Sequence, residues 1–590
     1  MEDKGPETYK FGEFVVNLSE RVLYRDGRLV PLTPKVFETL AVLVERQGKV
    51  VHKAELLKLV WPDSFVEENS LTQNISALRK VFEDKFIETI PRRGYRFVAA
   101  VEADKHAEPR RRNRRWIWAL AALGALLAVS AVAWRRKAGP DRRVESLVVL
   151  PFVNLTGEQA DEYFSDGLTE ELTNRLAQIA GLRVVARTTA YQFRNKPQDI
   201  RSIARQLDVT TVIEGSVRRD KQKMRVTVQL IDAGSGYHLW SQTYDREEGE
   251  LFRIQEDISA QVAQIIRPSV VSIRPAAAIK NREAYNLYLL GRYHLNQPDD
   301  EAVRKAIAYF QQATEKEPDY AGAHAGLAEC YLKLAQHNAI GSVEAWGEAQ
   351  KAGRKAIELD ENLAEAHTTL GISHLILDWN WEAAERRFRR AIELNPNEAN
   401  AHHWFSHYYS VFGRSSESLR ESQEALKLSP LDPRISGHLV FHYLRARDFP
   451  GAIRAGTEAL NREPENRLAK VFLAYAYECA GEWDNAVDAL TRSAVPHAEE
   501  AALRAALRSE GPAGYWRVNR DHLAKLERPD HVRLAVCHAR LGEPEKALAQ
   551  LEQAFWSRRP DMIHIKQEPA FDSLHGQPRF RALVEAMRLP

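Results

Sequence analysis

The sequence predicts a multidomain chain: an α+β domain, a single transmembrane helix, an α/β sandwich domain and an all-α solenoid. Three observations carry that reading. An uncharged run of 19 residues, Trp116–Trp134, interrupts a chain that is 28% charged and 44% hydrophobic. The segment before it opens with strand-like alternation and continues into amphipathic helices. The segment after it passes from mixed strands and helices into a helical half with an internal period of 34 residues. A length of 590 residues accommodates this many domains. A net charge of +2 excludes a global field for nucleic acid or lipid, so any basic site is local. Three cysteines, Cys330, Cys479 and Cys537, are too few and too scattered for a disulfide framework or a zinc pattern. They are expected as small buried residues.

Residues 8–102 form the first expected domain. Asp26-Gly27 marks a hairpin turn between strands. Thr33 followed by Pro34 starts a helix whose stripe is Val36, Leu40, Leu43 and Val44. A second helix, "HKAELLKLVW", follows. A third, "EENSLTQNISALRKVFED", puts Leu71, Ile75, Leu78 and Phe82 on one face. Its opposite face carries Asn69, Thr72, Gln73, Ser76 and Lys80, with Asn74 and Arg79 at the flanks. Amides pair with adenine edges and cations with phosphate or guanine, so this face suits a major groove. Two strands around Gly94 close the segment, with Arg92, Arg93 and Arg96 at the turn.

At "LTPKVFETL", "ENSLTQNISALRKVF" and "IETIPRRGYRF" the segment resembles the winged helix-turn-helix domain of OmpR/PhoB-type regulators, in particular the membrane-bound CadC and ToxR branch. The resemblance implies a recognition helix over 67–82 and a wing over Arg92–Arg96. It places Thr72, Gln73, Asn74 and Ser76 against bases, and Arg79, Lys80 and Arg93 against the backbone or in the wing. Asn69, Arg92 and Tyr95 complete the expected DNA-binding set. The domain is not basic overall: residues 1–104 hold 16 Lys/Arg against 17 Asp/Glu, and only 69–101 are cationic, with six against three. This favours a homodimer on paired half-sites of double-stranded promoter DNA. No receiver domain precedes the segment, so activation by aspartyl phosphate is not expected.

A basic linker, 103–115, leads to the run 116–134. At 1.5 Å per residue, 19 residues cover about 28 Å, close to the roughly 30 Å hydrocarbon core. Trp116, Trp118 and Trp134 sit where interfacial aromatic belts sit, and arginines bracket both ends. Ala121, Gly124, Ala128 and Ala131 share one face, where two helices would approach closely. The expected placement is the bacterial inner membrane, single-pass, with the N-terminus cytoplasmic because DNA is there, and the C-terminal part periplasmic.

Residues 144–270 read as an α/β domain in the order β-α-β-α-β-β-β-α. "VLPFVN", "DGLTEELTNRL", "VIEGSVRR" and "LWSQTYDR" resemble the TolB-amino-terminal-like domain, which implies a fold and not an activity. Asp161, Glu162, Asp166, Glu170 and Glu171 cluster at a helix N-terminus, the ordinary dipole-complementing pattern. The helical part, 281–590, repeats Ala384, Phe388, Ala391 and Pro396 at the spacing of Ala306, Phe310, Ala313 and Pro318. It resembles the tetratricopeptide repeat, closed by a capping helix, which implies a concave surface for a protein or peptide ligand. His403 and His407 stand at i and i+4, but no third ligand and no HExxH is visible, so packing is expected there and no metal. No GxSxG, no phosphate loop and no cofactor motif appears, so no enzyme is expected. The reading is a one-component transmembrane transcription regulator; the alternative is a membrane-anchored protein-interaction scaffold with a vestigial DNA-binding domain.

Overall fold

The computed structural model describes residues 8–18, 21–61, 68–83, 85–91, 93–103, 144–155, 162–179, 181–194, 196, 198–220, 223–247, 251–266, 280–297, 299–336, 342–493 and 497–590. The chain divides into two units, Met1–Lys137 and Ala138–Pro590.

In the first unit, strands β1 (Thr8–Phe11), β2 (Phe14–Asn17), β3 (Val22–Arg25) and β4 (Arg28–Val30) form an antiparallel meander, and β8 (Glu102–Ala103) adds to its β1 edge. Helix α1 (Pro34–Glu45) starts where Thr33-Pro34 predicts, with Pro34 supplying a first helical residue that needs no N–H partner. Then come β5 (Val50–His52), α2 (Lys53–Val60), α3 (Glu68–Phe82), β6 (Ile87–Ile90) and β7 (Gly94–Phe97). A second sheet has the order β5-β7-β6, so the β6–β7 hairpin is held through β7. The stripe Leu71, Ile75, Leu78 and Phe82 is buried in the same core as Val36, Leu40 and Leu43 of α1. Phenylalanines bind the meander to α3 and the hairpin. The Phe11–Phe97 and Phe14–Phe82 ring centroids are each 5.0 Å apart, edge to face, the arrangement their quadrupoles favour.

The second unit opens with a mixed sheet, order β11-β9-β12-β13-β14, from β9 (Ser146–Val149), β11 (Arg183–Val184), β12 (Thr211–Asp220), β13 (Lys223–Asp232) and β14 (His238–Glu247). The short strand β10 (Val153–Asn154), which the sequence does not set apart, pairs with β12. The run Leu147–Leu150 is buried throughout because it serves two cores. Leu147 and Val149 pack with helices Glu162–Ala177 and Leu251–Ile266, while Val148 and Leu150 pack with Ile203, Ala204 and Leu207 of helix Ile200–Leu207.

From Arg282 onward the structure is helical, in antiparallel pairs that repeat along the chain. Ala306, Phe310 and Ala313 are fully buried, as are Ala384, Phe388 and Ala391. The phenylalanine explains the small residues near it. A Cβ on Gly326 would come within 2.5 Å of the Phe310 ring, so the ring occupies the space of an absent side chain.

No helix among the described residues is long and apolar enough to cross a membrane. This corrects the expected transmembrane helix and, with it, the single-pass inner-membrane placement with a periplasmic C-terminal part. The longest described helix, Ser342–Leu359, has 18 residues and carries Glu348, Lys351, Arg354, Lys355 and Glu358, charges that a hydrocarbon core penalises. The run Trp116–Trp134 lies outside the described residues, as does the linker from 104 onward. The winged-helix, sheet-domain and solenoid parts of the expected fold class stand.

Within the second unit the sheet domain seats on the first helices of successive pairs. Asn397 bridges them: its Nδ2 donates to the carbonyls of Ala177 (2.7 Å) and Leu182 (2.8 Å), and its Oδ1 accepts from Val184 N at 2.9 Å. Ala186 N donates to the Leu428 carbonyl at 2.7 Å, and the hydroxyls of Thr189 and Ser429 lie 3.0 Å apart. Glu170, buried, pairs with both Arg187 and Arg292. Burial pushes its carboxyl up, but the two guanidiniums outweigh that and hold it below the ordinary range. Glu171 pairs with Arg175 and Asp166 with Arg194, so these acids of the first helix are matched by cations. Asp161 lies outside the described residues. The C-terminal segment does more than cap. Gln567 donates to the Val411 carbonyl at 2.6 Å, Arg447 pairs with Asp572 at 2.6 Å, and Trp381 Nε1 donates to the Arg588 carbonyl at 2.7 Å. The segment therefore folds back along pairs well inside the array. Cys330 and Cys537 are buried and Cys479 is partly so; all three are free thiols.

Candidate nucleic-acid interface

Helix α3 turns a polar face outward because its apolar stripe is spent on the core. Thr72, Gln73, Ser76 and Lys80 are exposed, at i, i+1, i+4 and i+8, one face of a helix with 3.6 residues per turn. Arg93 is exposed at the turn between β6 and β7. The hairpin that carries it is fixed at Gly94, which pairs with His52 of β5 and Ile90 of β6.

Three of the expected contact residues are engaged within the domain. Asn74 Nδ2 donates to the Lys35 carbonyl (3.1 Å) and to Thr39 Oγ1 (3.0 Å), both on α1. Arg79 donates from Nη2 to the Ile87 carbonyl (3.0 Å) and to Thr89 Oγ1 (2.7 Å), tying the end of α3 to the first strand of the wing. Tyr95 is 5% exposed and belongs to the core. Arg96 pairs with Glu88 across the hairpin, at 2.5 Å. The side chain of Asn69 lies outside the described residues, and so does Arg92.

The α1 side of the Asn74 contact is itself braced. Lys35 Nζ donates to Glu38 (2.8 Å) and to the Val60 carbonyl (2.6 Å), linking α1 to the end of α2. Partial burial pushes the Glu38 carboxyl up, but hydrogen bonds from Lys35 and Arg21 prevail and hold it below the ordinary carboxylate range. Lys35 and Thr39 were not singled out by sequence. Their signal is position: both precede the apolar stripe of α1 by one step and face the flank of α3.

Comparison with known proteins matches three segments of the chain to known families. Residues 27–97 match the family described as transcriptional regulatory protein, C terminal. Residues 143–261 match the second domain of HilA/YgeH-like transcriptional regulators, and 299–339 the tetratricopeptide repeat. The chain is 28% identical over 376 residues to the transcriptional regulator HilA of Salmonella typhi, covering 62% of this chain and 61% of that protein. It is 31% identical over 234 residues to the putative adenylate cyclase 3 of Rhizobium meliloti, covering 39% and 40%. The solved DNA-binding domain of Escherichia coli CadC is 31% identical, covering 17% of this chain and all of that one, with a TM-score of 0.16. The chain thus spans less than two thirds of the length of either curated relative. It combines the winged-helix domain of transcriptional regulators with a HilA-like second domain and tetratricopeptide repeats, and is a relative of the HilA/CadC/ToxR-like transcription regulators.

Proposed function

We propose that the chain regulates transcription by binding double-stranded promoter DNA through α3 and the β6–β7 wing, with no catalytic role. The observation that carries this is the outward face Thr72, Gln73, Ser76 and Lys80, backed by a buried stripe and flanked by the Arg93 turn. Gln73, Thr72 and Ser76, with Asn69, read base edges. Lys80, Arg92 and Arg93 meet phosphates or the adjoining minor groove. Asn74, Arg79 and Tyr95 act by positioning, since their polar atoms or rings are engaged within the fold. The modest cationic count of one copy supports binding as a homodimer to two half-sites. The sheet domain and the repeats serve as the partner-binding part, for a protein or peptide ligand.

The test is selection of duplex DNA from a randomised library with the full chain, followed by gel-shift titration. Expected is enrichment of one motif, bound at least 1000-fold tighter than random duplex. Enrichment of no motif, or equal affinity of wild type and a Gln73→Ala, Ser76→Ala double variant for the selected duplex, would sink the reading.

A further inference from the structure

Helices Ala399–Val411 and Pro433–Arg445 meet the C-terminal segment Pro560–Gln567 around five histidines: His403, His407, His438, His442 and His564. Three of them bring ring nitrogens close together. His403 Nε2 lies 3.1 Å from His438 Nδ1, and His407 Nε2 lies 3.2 Å from the same atom. One nitrogen of each lies within 4.8 Å of the other two.

Hydrogen bonding does not account for this convergence. A neutral imidazole has one N–H and one lone pair. His438 Nδ1 therefore gives one proton or accepts one, and can satisfy only one of the two nitrogens facing it. Adding protons is opposed by the surroundings: His403 is 0% exposed and His407 5%. Neutral imidazole is the state that ligates metals.

We propose that His403, His407 and His438 form a binding site for a divalent transition metal, with zinc as the reference ion. With Zn–N bonds of about 2.0–2.1 Å, ligand nitrogens of a tetrahedral site stand about 3.3–3.4 Å apart, close to the two short separations here. The donor set holds three imidazoles and no carboxylate, which suits zinc, copper or nickel and disfavours magnesium and calcium. The surroundings also fit. His407 Nδ1, the nitrogen turned away from the cluster, lies 3.3 Å from His564 Nε2, the kind of outer contact that fixes a ligating ring. His442 is outside the donor set because its two nitrogens meet Ser406 Oγ (2.8 Å) and Ser418 Oγ (3.1 Å). Trp404 and Phe441 wall His407 at centroid distances of 5.0 and 5.7 Å. His438 is half-buried, the most exposed of the three. Three protein donors leave a tetrahedral ion one further position, for water or a donor atom of a ligand. The ion would tie two successive repeats to each other and, through His564, to the C-terminal segment.

The experiment uses the untagged full chain, stripped with chelator and titrated with Co²⁺, then Zn²⁺. Expected is one Co²⁺ per chain with the intense visible bands of a tetrahedral site, displaced by one Zn²⁺. The double variant His403→Gln, His438→Gln should weaken Co²⁺ binding at least 100-fold, while His442→Gln keeps it. Absence of saturable binding in the wild type, or unchanged binding in the double variant, overturns the site. Should the double variant unfold, X-ray absorption at zinc in the wild type decides. Three imidazole scatterers support the site, and fewer overturn it.

Discussion

Replacing Asn74 with alanine should cost the stability of the winged helix, and replacing its neighbour Gln73 should cost base selection. The Asn74 amide makes two hydrogen bonds across the α1–α3 contact, to Lys35 and to Thr39. Thr39 is 0% exposed and already spends its hydroxyl proton on the Lys35 carbonyl at 2.7 Å, so no water replaces the lost amide easily. Two bonds at about 0.5–1.5 kcal/mol each give a loss of about 1–3 kcal/mol. A single melting temperature is ill-defined for a chain of several domains, so native-state hydrogen exchange of amides in α1 and α3 is the suitable assay. A loss of that size raises their exchange through unfolding by about 5- to 150-fold. Exposed Gln73 should leave exchange unchanged, and Gln73→Ala should lose about 1–3 kcal/mol of discrimination at one base pair of the selected duplex. The reasoning fails if Asn74→Ala exchanges like the parent and instead alters base preference, for the amide would then point to DNA.

Four further outcomes are expected. Gly94→Ala should loosen the wing: its Cβ would fall inside the radius of the Val51 carbonyl oxygen and 2.9 Å from His52 Cα, so β5 and β7 must part at a cost of about 1–3 kcal/mol, visible as faster exchange in β7. Arg93→Ala, at the exposed turn, should weaken binding to all duplexes alike and lower the log–log salt slope by about one unit if it meets phosphate. Phe388→Ala should destabilise the repeats by about 3–5 kcal/mol in denaturant unfolding, because the fully buried ring fills the space beside Gly371. Glu398 is pushed up to about 8, first by burial and then by the charges of Glu365 and Glu329. The folded state therefore holds a proton that the unfolded chain releases above the ordinary carboxyl range. Its contribution favours folding at low pH and is lost as pH rises toward about 8, with a slope of at most about 1.4 kcal/mol per pH unit. Unfolding of Glu398→Gln measured from pH 5 to 8 should lack that slope.

What the sequence made legible follows from periodicity. The start of α1 at Pro34, the stripe on α3 and the alanine–phenylalanine spacing of the repeats each repeat a burial pattern set by local geometry. The run Leu147–Leu150 was legible as a buried strand, though not its division between two cores. Periodicity assigns a face and leaves the partner open. Asn74 sits at the flank of the polar face, where a turn of a few tens of degrees decides between groove and core, and the carbonyl of Lys35 decides it. His438 escaped for another reason. It stands 35 residues from His403, one position past the 34-residue repeat, so neither repeat alignment nor a search for i, i+4 neighbours pairs the two. The expected spanning helix rests on hydropathy, flanking tryptophans and bracketing arginines, and no described helix supplies one.

The seam between the sheet domain and the repeats changes what the solenoid can do. In a plain repeat array each unit touches only its neighbours, and stability adds up along one dimension. Here contacts distant in sequence cross that order: Glu170 to Arg292, Ala177 to Asn397, Ala186 to Leu428, Thr189 to Ser429. The first helix pair and those beyond Asn397 are therefore held by one common partner, which makes their unfolding cooperative. The same face is where the first helices of a solenoid offer side chains to a ligand. A ligand approaching there meets Asn397, Ser429 and Arg292 already engaged, and must displace a buried Glu170 lodged between two arginines. Breaking such a pair from one side leaves a charge uncompensated and costs about 3–5 kcal/mol. A peptide that binds this face thus pays for parting the sheet domain from the repeats, whereas one that binds the outer helices does not. The affinity of a ligand of the first kind would rise when Glu170 and its arginines are replaced together, and that of the second kind would not change.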